Sequence, residues 1–274
     1  MSDHFRAFSF VDRILSDKQG KAIVGQYRVP DSVREFPVAL VAESIGQCAA
    51  MSSMAAVNFK YRPVAGIASV VEFCGDAFPG DILKLEATLT RADEEAVAYS
   101  GVASVDDKPL AKLLNCLGPM VLMEDFDNPA AVRQRYQLLV ESGAPPDAFG
   151  GVESVNFESV EKGDGEREGQ FTVPHEAAFF GDHFPRRPVF PGTLLMDLKL
   201  KFVADLIAKL DGGPWAVVGM QDVKLRSFMP PGEVLELFGK VDKIDGEQAS
   251  ILVQSRKGKR RNSSARVMLA KKSL

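Results

Sequence analysis

Two stretches of this 274-residue chain repeat at a nearly constant offset. Gly66-Ile67 and the later Pro79-Gly80-Asp81 return as Gly219-Met220 and Pro231-Gly232-Glu233, displaced by 153 residues at the first glycine (219 − 66) and 152 at the second (232 − 80). The acidic residues Glu43 and Asp197 lie 154 apart. An offset the length of a domain indicates duplication of a whole folding unit. The chain has the length of two ordinary domains, so it is expected to hold two copies of one fold.

The content of one copy follows from hydrophobic patterning. Residues 35–51 are apolar on most faces over about five turns, which suggests a helix buried in the concavity of a sheet rather than one lying on a surface. Residues 66–72, 82–89, 97–105 and 110–116 read as strands with no helix between them, and residues 22–29 as another. One long helix followed by a run of strands argues an α+β fold with an antiparallel sheet. Two helices, near 37–56 and 191–210, should each be wrapped by their own sheet, and the two sheets should join edge to edge. Asp127-Asn128-Pro129 is a helix-start signal for a short helix over 130–141, and residues 144–151 have the Pro/Gly content of a linker. The expected division is a first half over 1–120, a connector over 121–150 and a second half over 151–274.

One motif of the second half carries chemistry. In His183-Phe184-Pro185-Arg186-Arg187-Pro188-Val189-Phe190-Pro191-Gly192-Thr193-Leu194, prolines hold a histidine on a stiff irregular loop. Pro191-Gly192 then opens a helix, whose unpaired N–H groups and dipole suit a carbonyl oxygen or oxyanion. A histidine facing such a helix start is placed as a base beside an electrophilic site.

These residues resemble the β-hydroxyacyl-ACP dehydratases, whose run reads roughly His-Phe-Pro-x-x-Pro-Val-x-Pro-Gly-x-Leu. His183, Phe184, Pro185, Pro188, Val189, Pro191, Gly192 and Leu194 all match. Asp182 departs from the pattern, since many members have glycine before the histidine. With the duplication, the resemblance implies a double hot-dog fold, in which one chain reproduces the homodimer of a single-unit dehydratase. It also implies that each site takes its histidine from one unit and its acid from the other.

The halves are not equivalent. The first lacks a histidine loop, and its segment 29–40 looks shortened rather than merely substituted; it keeps Glu43 and Gln47, matching the family's acid-x-x-x-Gln. The second keeps His183 but has Lys201 where glutamine would stand, four residues after Asp197, the spacing of a helix ion pair. The resemblance therefore implies one complete site, with His183 and Glu43 as catalytic residues. Gln47, Phe184, Val189, Pro191 and Gly192 are the expected substrate contacts.

The implied activity is elimination of water from a 3-hydroxyacyl thioester. The acyl group would ride on the phosphopantetheine arm of an acyl carrier protein, with no metal or diffusible cofactor. A thioesterase or enoyl hydratase on the same fold, and a non-catalytic acyl-binding subunit, remain open at this point. So does a homo-oligomer of the pseudo-dimer.

A formal net charge of −4 gives no general reason to expect nucleic acid. Cys48, Cys74 and Cys116 lack metal-site spacing and are expected to be buried reduced thiols. No run of 18 apolar residues is present and the first fifteen residues do not read as a signal peptide, so a cytoplasmic protein without a membrane span is expected. His4 and His175 read as a terminal and a loop residue. The basic run 256–261 reads as a hairpin tip, and either this run or Arg186 and Arg187 could dock an acidic carrier.

Overall fold

In a computed structural model, residues 4–145, 149–151, 155–163 and 165–272 are described. The first half contains β1 (Arg13–Lys18), β2 (Ala22–Arg28), α1 (Val38–Ala56), β3 (Tyr61–Pro63), β4 (Ile67–Phe73), β5 (Ile82–Ala92), β6 (Ala96–Val105) and β7 (Lys108–Leu122). Two helices follow, α2 (Met123–Phe126) and α3 (Pro129–Glu141). The second half contains β8 (Glu158–Gly163), β9 (Glu166–Thr172), α4 (Gly192–Lys209), β10 (Trp215–Leu225), β11 (Val234–Asp245), β12 (Gln248–Lys257) and β13 (Arg260–Lys271).

The strands form one antiparallel sheet in the order β1-β2-β5-β6-β7-β4-β10-β13-β12-β11-β9-β8, with β3 paired to the far end of β7. Each half curls its share of the sheet around its own long helix, so the fold is a double hot-dog. Alternation fixes the inner face: Leu83, Leu85, Ala87 and Leu89 of β5, and Leu235 and Leu237 of β11, are buried. Against them lie Leu40, Val41, Ile45 and Ala49 of α1, and Leu195, Leu198, Phe202 and Val203 of α4. The helix α1 has the length and apolar character of a membrane span, but 67% of its most apolar window is buried inside the protein, as a core helix requires. Close approach of helix and sheet demands small residues. A Cβ on Gly101 would lie 2.5 Å from Ile45 Cγ2 and 2.7 Å from the Glu86 carbonyl.

The duplication is carried at the level of elements. From β5, β6 and β7 to β11, β12 and β13 the offset is 152 (234 − 82, 248 − 96, 260 − 108), and from α1 to α4 it is 154 (192 − 38). Turn bonds repeat as well: the Val29 N–H donates to Asp81 O and the Val173 N–H to Glu233 O, both at 2.9 Å. Gly80 and Gly232, at φ of +91° and +77°, turn the chain at equivalent places where a side chain would be strained. The one large difference lies before the central helices. Nine residues (29–37) join β2 to α1, but nineteen (173–191) join β9 to α4. The histidine loop is an extra ten residues of chain, for which the first half has no counterpart.

The halves meet where β4 pairs with β10, in the register Gly219 to Glu72, Met220 to Val71, Gln221 to Val70 and Val223 to Ala68. Paired numbers sum to 291, and with a local offset of 153 the pairing is centred on Ser69 and Asp222, which are each other's repeat counterparts. The seam is therefore self-complementary, as at a two-fold dimer interface.

Two expectations need correction. The linker-like reading of 144–151 misses Phe149, which is 2% exposed and stacks edge-on against Phe10 and Phe36 at centroid distances of 5.0 and 5.9 Å; residues 146–148 lie outside the described residues. An aromatic ring among Pro and Gly residues is drawn into the core by the area it buries. Cys48 and Cys116 are buried, but Cys74 is exposed, because it stands just past the end of β4.

Candidate active site

The loop that carries His183 is held by backbone bonds from several directions. The His183 N–H donates to Phe179 O at 2.8 Å, Val189 N–H to His183 O at 3.0 Å, Arg186 N–H to Phe126 O at 3.0 Å and Phe190 N–H to Met229 O at 2.8 Å. The imidazole Nδ1 lies 3.0 Å from the Val189 carbonyl. A carbonyl can only accept, so Nδ1 carries the proton and Nε2 keeps its lone pair. Burial pushes the His183 pKa down to about 4, and the positive charge of Arg62 adds to the shift against the Val189 bond.

Glu43 projects from α1, one turn before Gln47. The Gln47 amide donates to Glu43 Oε1 at 3.0 Å, and the Thr193 hydroxyl donates to Glu43 Oε2 at 2.8 Å. Burial raises the Glu43 pKa although both bonds favour the carboxylate. Gln47 is itself oriented, accepting from Phe10 N–H at 2.7 Å and donating to Phe8 O at 3.0 Å.

One cavity of about 510 Å³ contains Glu43, Gln47, His183, Phe184, Val189 and Gly192 in its wall. Its remaining surface is largely apolar, from Met51, Val97, Leu113, Met196 and Met220 among others. The first half thus supplies Glu43 and the second His183, and Thr193 at the start of α4 reaches across the interface to Glu43. Gly192 is the first residue of α4, and a Cβ there would lie 2.3 Å from Leu225 Cδ1. Pro191, expected as a substrate contact in the helix's first turn, is instead its N-cap, buried behind the cavity wall. Its fixed φ orients the first turn without facing the cavity. Asp197 pairs with Lys201 at 2.8 Å and lies outside this wall.

Four residues of the site, Thr193, Asp182, Arg62 and Asp127, were not read from the sequence as part of it. Thr193 was quoted only as part of the motif. Asp182 accepts from the Phe8 N–H at 2.6 Å, from the Phe5 N–H and from Ser9 Oγ at 3.3 Å, tying the N-terminal segment over the cavity beside His183. Arg62 lies with its guanidinium carbon 3.7 Å from the Phe184 ring centroid and its Nη1 3.3 Å from Asp127. Asp127 also meets His4 Nε2 at 3.2 Å, so His4 is a structural partner rather than a loose terminal residue.

A separate hollow on the outer side shares Val189, Ser227 and Phe228 with the cavity wall and adds Arg187, Lys257 and Arg260. Arg187 of the histidine loop therefore meets Lys257 and Arg260 of the β12–β13 hairpin here, with Lys257 paired to Glu233, which also lines the hollow. Arg187 packs 5.1 Å from the ring centroids of Phe126 and Phe228, and Arg186 donates to Glu124 O at 2.7 Å.

Fold and site define the class: a double hot-dog protein whose second half resembles the hot-dog dehydratases. Residues 159–264 match the ApeI-like family, described as ApeI dehydratase. The 3-hydroxyacyl-[acyl-carrier-protein] dehydratase FabZ of Lactiplantibacillus plantarum is 32% identical over 84 residues, 30% of this chain and 57% of the relative. That of Clostridium botulinum is 29% identical over 120 residues, 40% of this chain and 83% of the relative. Against the first curated relatives the chain spans only 57 to 61% of their length. Likeness over the whole chain comes from solved structures. An oleoyl thioesterase structure from Lactobacillus plantarum superposes with a TM-score of 0.62 at 9% identity, covering 94% of this chain and 99% of that one. A hot-dog protein from Alicyclobacillus acidocaldarius gives 0.54 at 11% identity, covering 97% and 98%. At such identities the likeness establishes the fold alone.

Proposed function

We propose that this chain is a 3-hydroxyacyl thioester dehydratase with one composite site. The observation that carries the reading is the cavity that takes His183 from one half and Glu43 from the other, each shifted by burial toward its uncharged form. His183 Nε2 takes the C2 proton, and electron density moves onto the thioester carbonyl. The N–H groups at the start of α4, which have no acceptor within the helix, stabilise that oxygen. Glu43 gives its proton to the C3 hydroxyl, which leaves as water, with Gln47 and Thr193 aiming the carboxyl. The apolar wall receives the acyl chain. The FabZ relatives are named for acyl-carrier-protein substrates, and the hollow beside the cavity, where Arg187 and Arg260 stand beside the Lys257–Glu233 ion pair, suits the acidic carrier of a phosphopantetheine-linked acyl group.

Product analysis on a 3-hydroxyacyl-pantetheine thioester tests the reading. Enoyl absorbance rising without free thiol is expected; thiol release without loss of water would replace it by a thioesterase.

A further inference from the structure

The core of the second half contains a buried polar chain with no counterpart in the first. Lys199 of α4 is fully buried and donates to Ser263 Oγ. Ser263 Oγ lies 2.6 Å from Ser255 Oγ, and Ser255 donates to Asn262 Oδ1 at 3.0 Å. The Asn262 amide then donates to Ser227 O at 3.1 Å and Ser227 Oγ at 2.8 Å. By the offsets of 154 and 152, the equivalent residues of the first half are Ile45, Ala111, Ala103, Leu110 and Gly75. Ile45, Ala103, Leu110 and Ala111 are buried apolar residues. The surrounding backbone is the same in both: Arg226 N–H donates to Asn262 O at 2.9 Å, as Cys74 N–H does to Leu110 O at 2.8 Å.

The fold is thus satisfied by an apolar set at these positions, and burying an amine and its hydroxyl partners instead costs stability. Burial lowers the Lys199 pKa to about 7, with the charge of Arg226 adding to the shift, which shows how poorly this place tolerates an ammonium. The polar set occurs in the half with the histidine loop, and it ends on the segment that holds that loop. Ser227 is two residues from Met229, whose carbonyl receives the Phe190 N–H, next to the Val189 carbonyl that holds His183 Nδ1.

We propose that Lys199, Ser263, Ser255 and Asn262 form a positioning network that fixes the segment 227–229, and through it the orientation of the His183 ring. None of the four lines the cavity, so they act through the loop and not on substrate. The proposal rests on His183 as the reacting base. Its test is replacement of the set by the first half's residues: Asn262→Leu alone, and Lys199→Ile with Ser255→Ala, Asn262→Leu and Ser263→Ala. The expected result is a kcat lowered about tenfold or more at unchanged KM, as for a catalytic group shifted by a fraction of an ångström, with thermal stability unchanged or raised. Nitrogen-correlated NMR of the imidazole rings, of which there are three, should show His183 passing from one Nδ1–H tautomer to a mixture. A folded variant with wild-type kcat and unaltered His183 signals would overturn the proposal. Should the wild type not dehydrate at all while the His183 tautomer still responds to Asn262→Leu, the network stands and the dehydratase reading falls.

Discussion

Burial acts on His183 and Glu43 in opposite numerical directions with one chemical result. It lowers the imidazole pKa to about 4, which leaves the base a free lone pair near neutrality, and raises the carboxyl pKa, which favours the protonated acid. The pH dependence follows. Activity is lost on the acid side only as His183 takes a proton, near its pKa of about 4, and on the alkaline side as Glu43 loses one. The profile of kcat/KM should therefore stay high through pH 6.5, where an ordinary histidine would already be half protonated. Glu43→Gln and His183→Ala should each lower kcat by about a hundredfold or more. Asp197→Asn should leave turnover within a few fold and cost less than about 1 kcal/mol, since its partner Lys201 is 60% exposed. An inactive Asp197→Asn beside an active Glu43→Gln would sink the composite site. Thr193 could be read only as a motif letter, because its partner Glu43 stands 150 residues away. Arg62 sits in a strand of three residues, too short to show any period.

Elements were far more legible than side-chain contacts. The long helices and the first half's β2 and β4 to β7 announce themselves by pattern and by the turn at Gly80, and the recurring offset carries the reading to the second half. Strands β1, β3, β8 and β9 were not read. Proline at N1 and Asn128, whose Oδ1 accepts from Ala130 N–H at 3.0 Å, mark the start of α3 as the sequence implies. Packing between elements leaves no such mark. Gly101 has no motif around it, yet its missing Cβ lets β6 meet α1 at Ile45, two residues from both Glu43 and Gln47. Gly101→Ala should destabilise the protein by about 1–3 kcal/mol, the usual cost of overpacking a core, and should also lower kcat because α1 must move. Urea unfolding with single-turnover kinetics checks both, and a variant of unchanged stability would contradict the close contact.

At the scale of the whole molecule, duplication was visible in sequence, but the convergence of two basic segments on one hollow was not. Arg187 and Arg260 come from opposite ends of the second half, and only the fold brings them to the wall that Val189 and Ser227 share with the cavity. Arg187→Glu with Arg260→Glu should raise KM for a carrier-linked substrate and spare a pantetheine-only analogue, and wild-type affinity for the carrier should fall with salt. Equal effects on both substrates would mean that the hollow does not read the carrier.

The seam between β4 and β10 has the geometry of a dimer interface, yet both sides belong to one polypeptide. Mass action therefore cannot take the two halves apart. A site shared between separate chains is diluted away below its dissociation constant, whereas here the partner is tethered at a fixed effective concentration. Specific activity should stay constant from micromolar to nanomolar enzyme. The same tether frees each half to change independently: a copy that loses its ten-residue loop can never meet another like itself, because the only partner it is offered carries the loop.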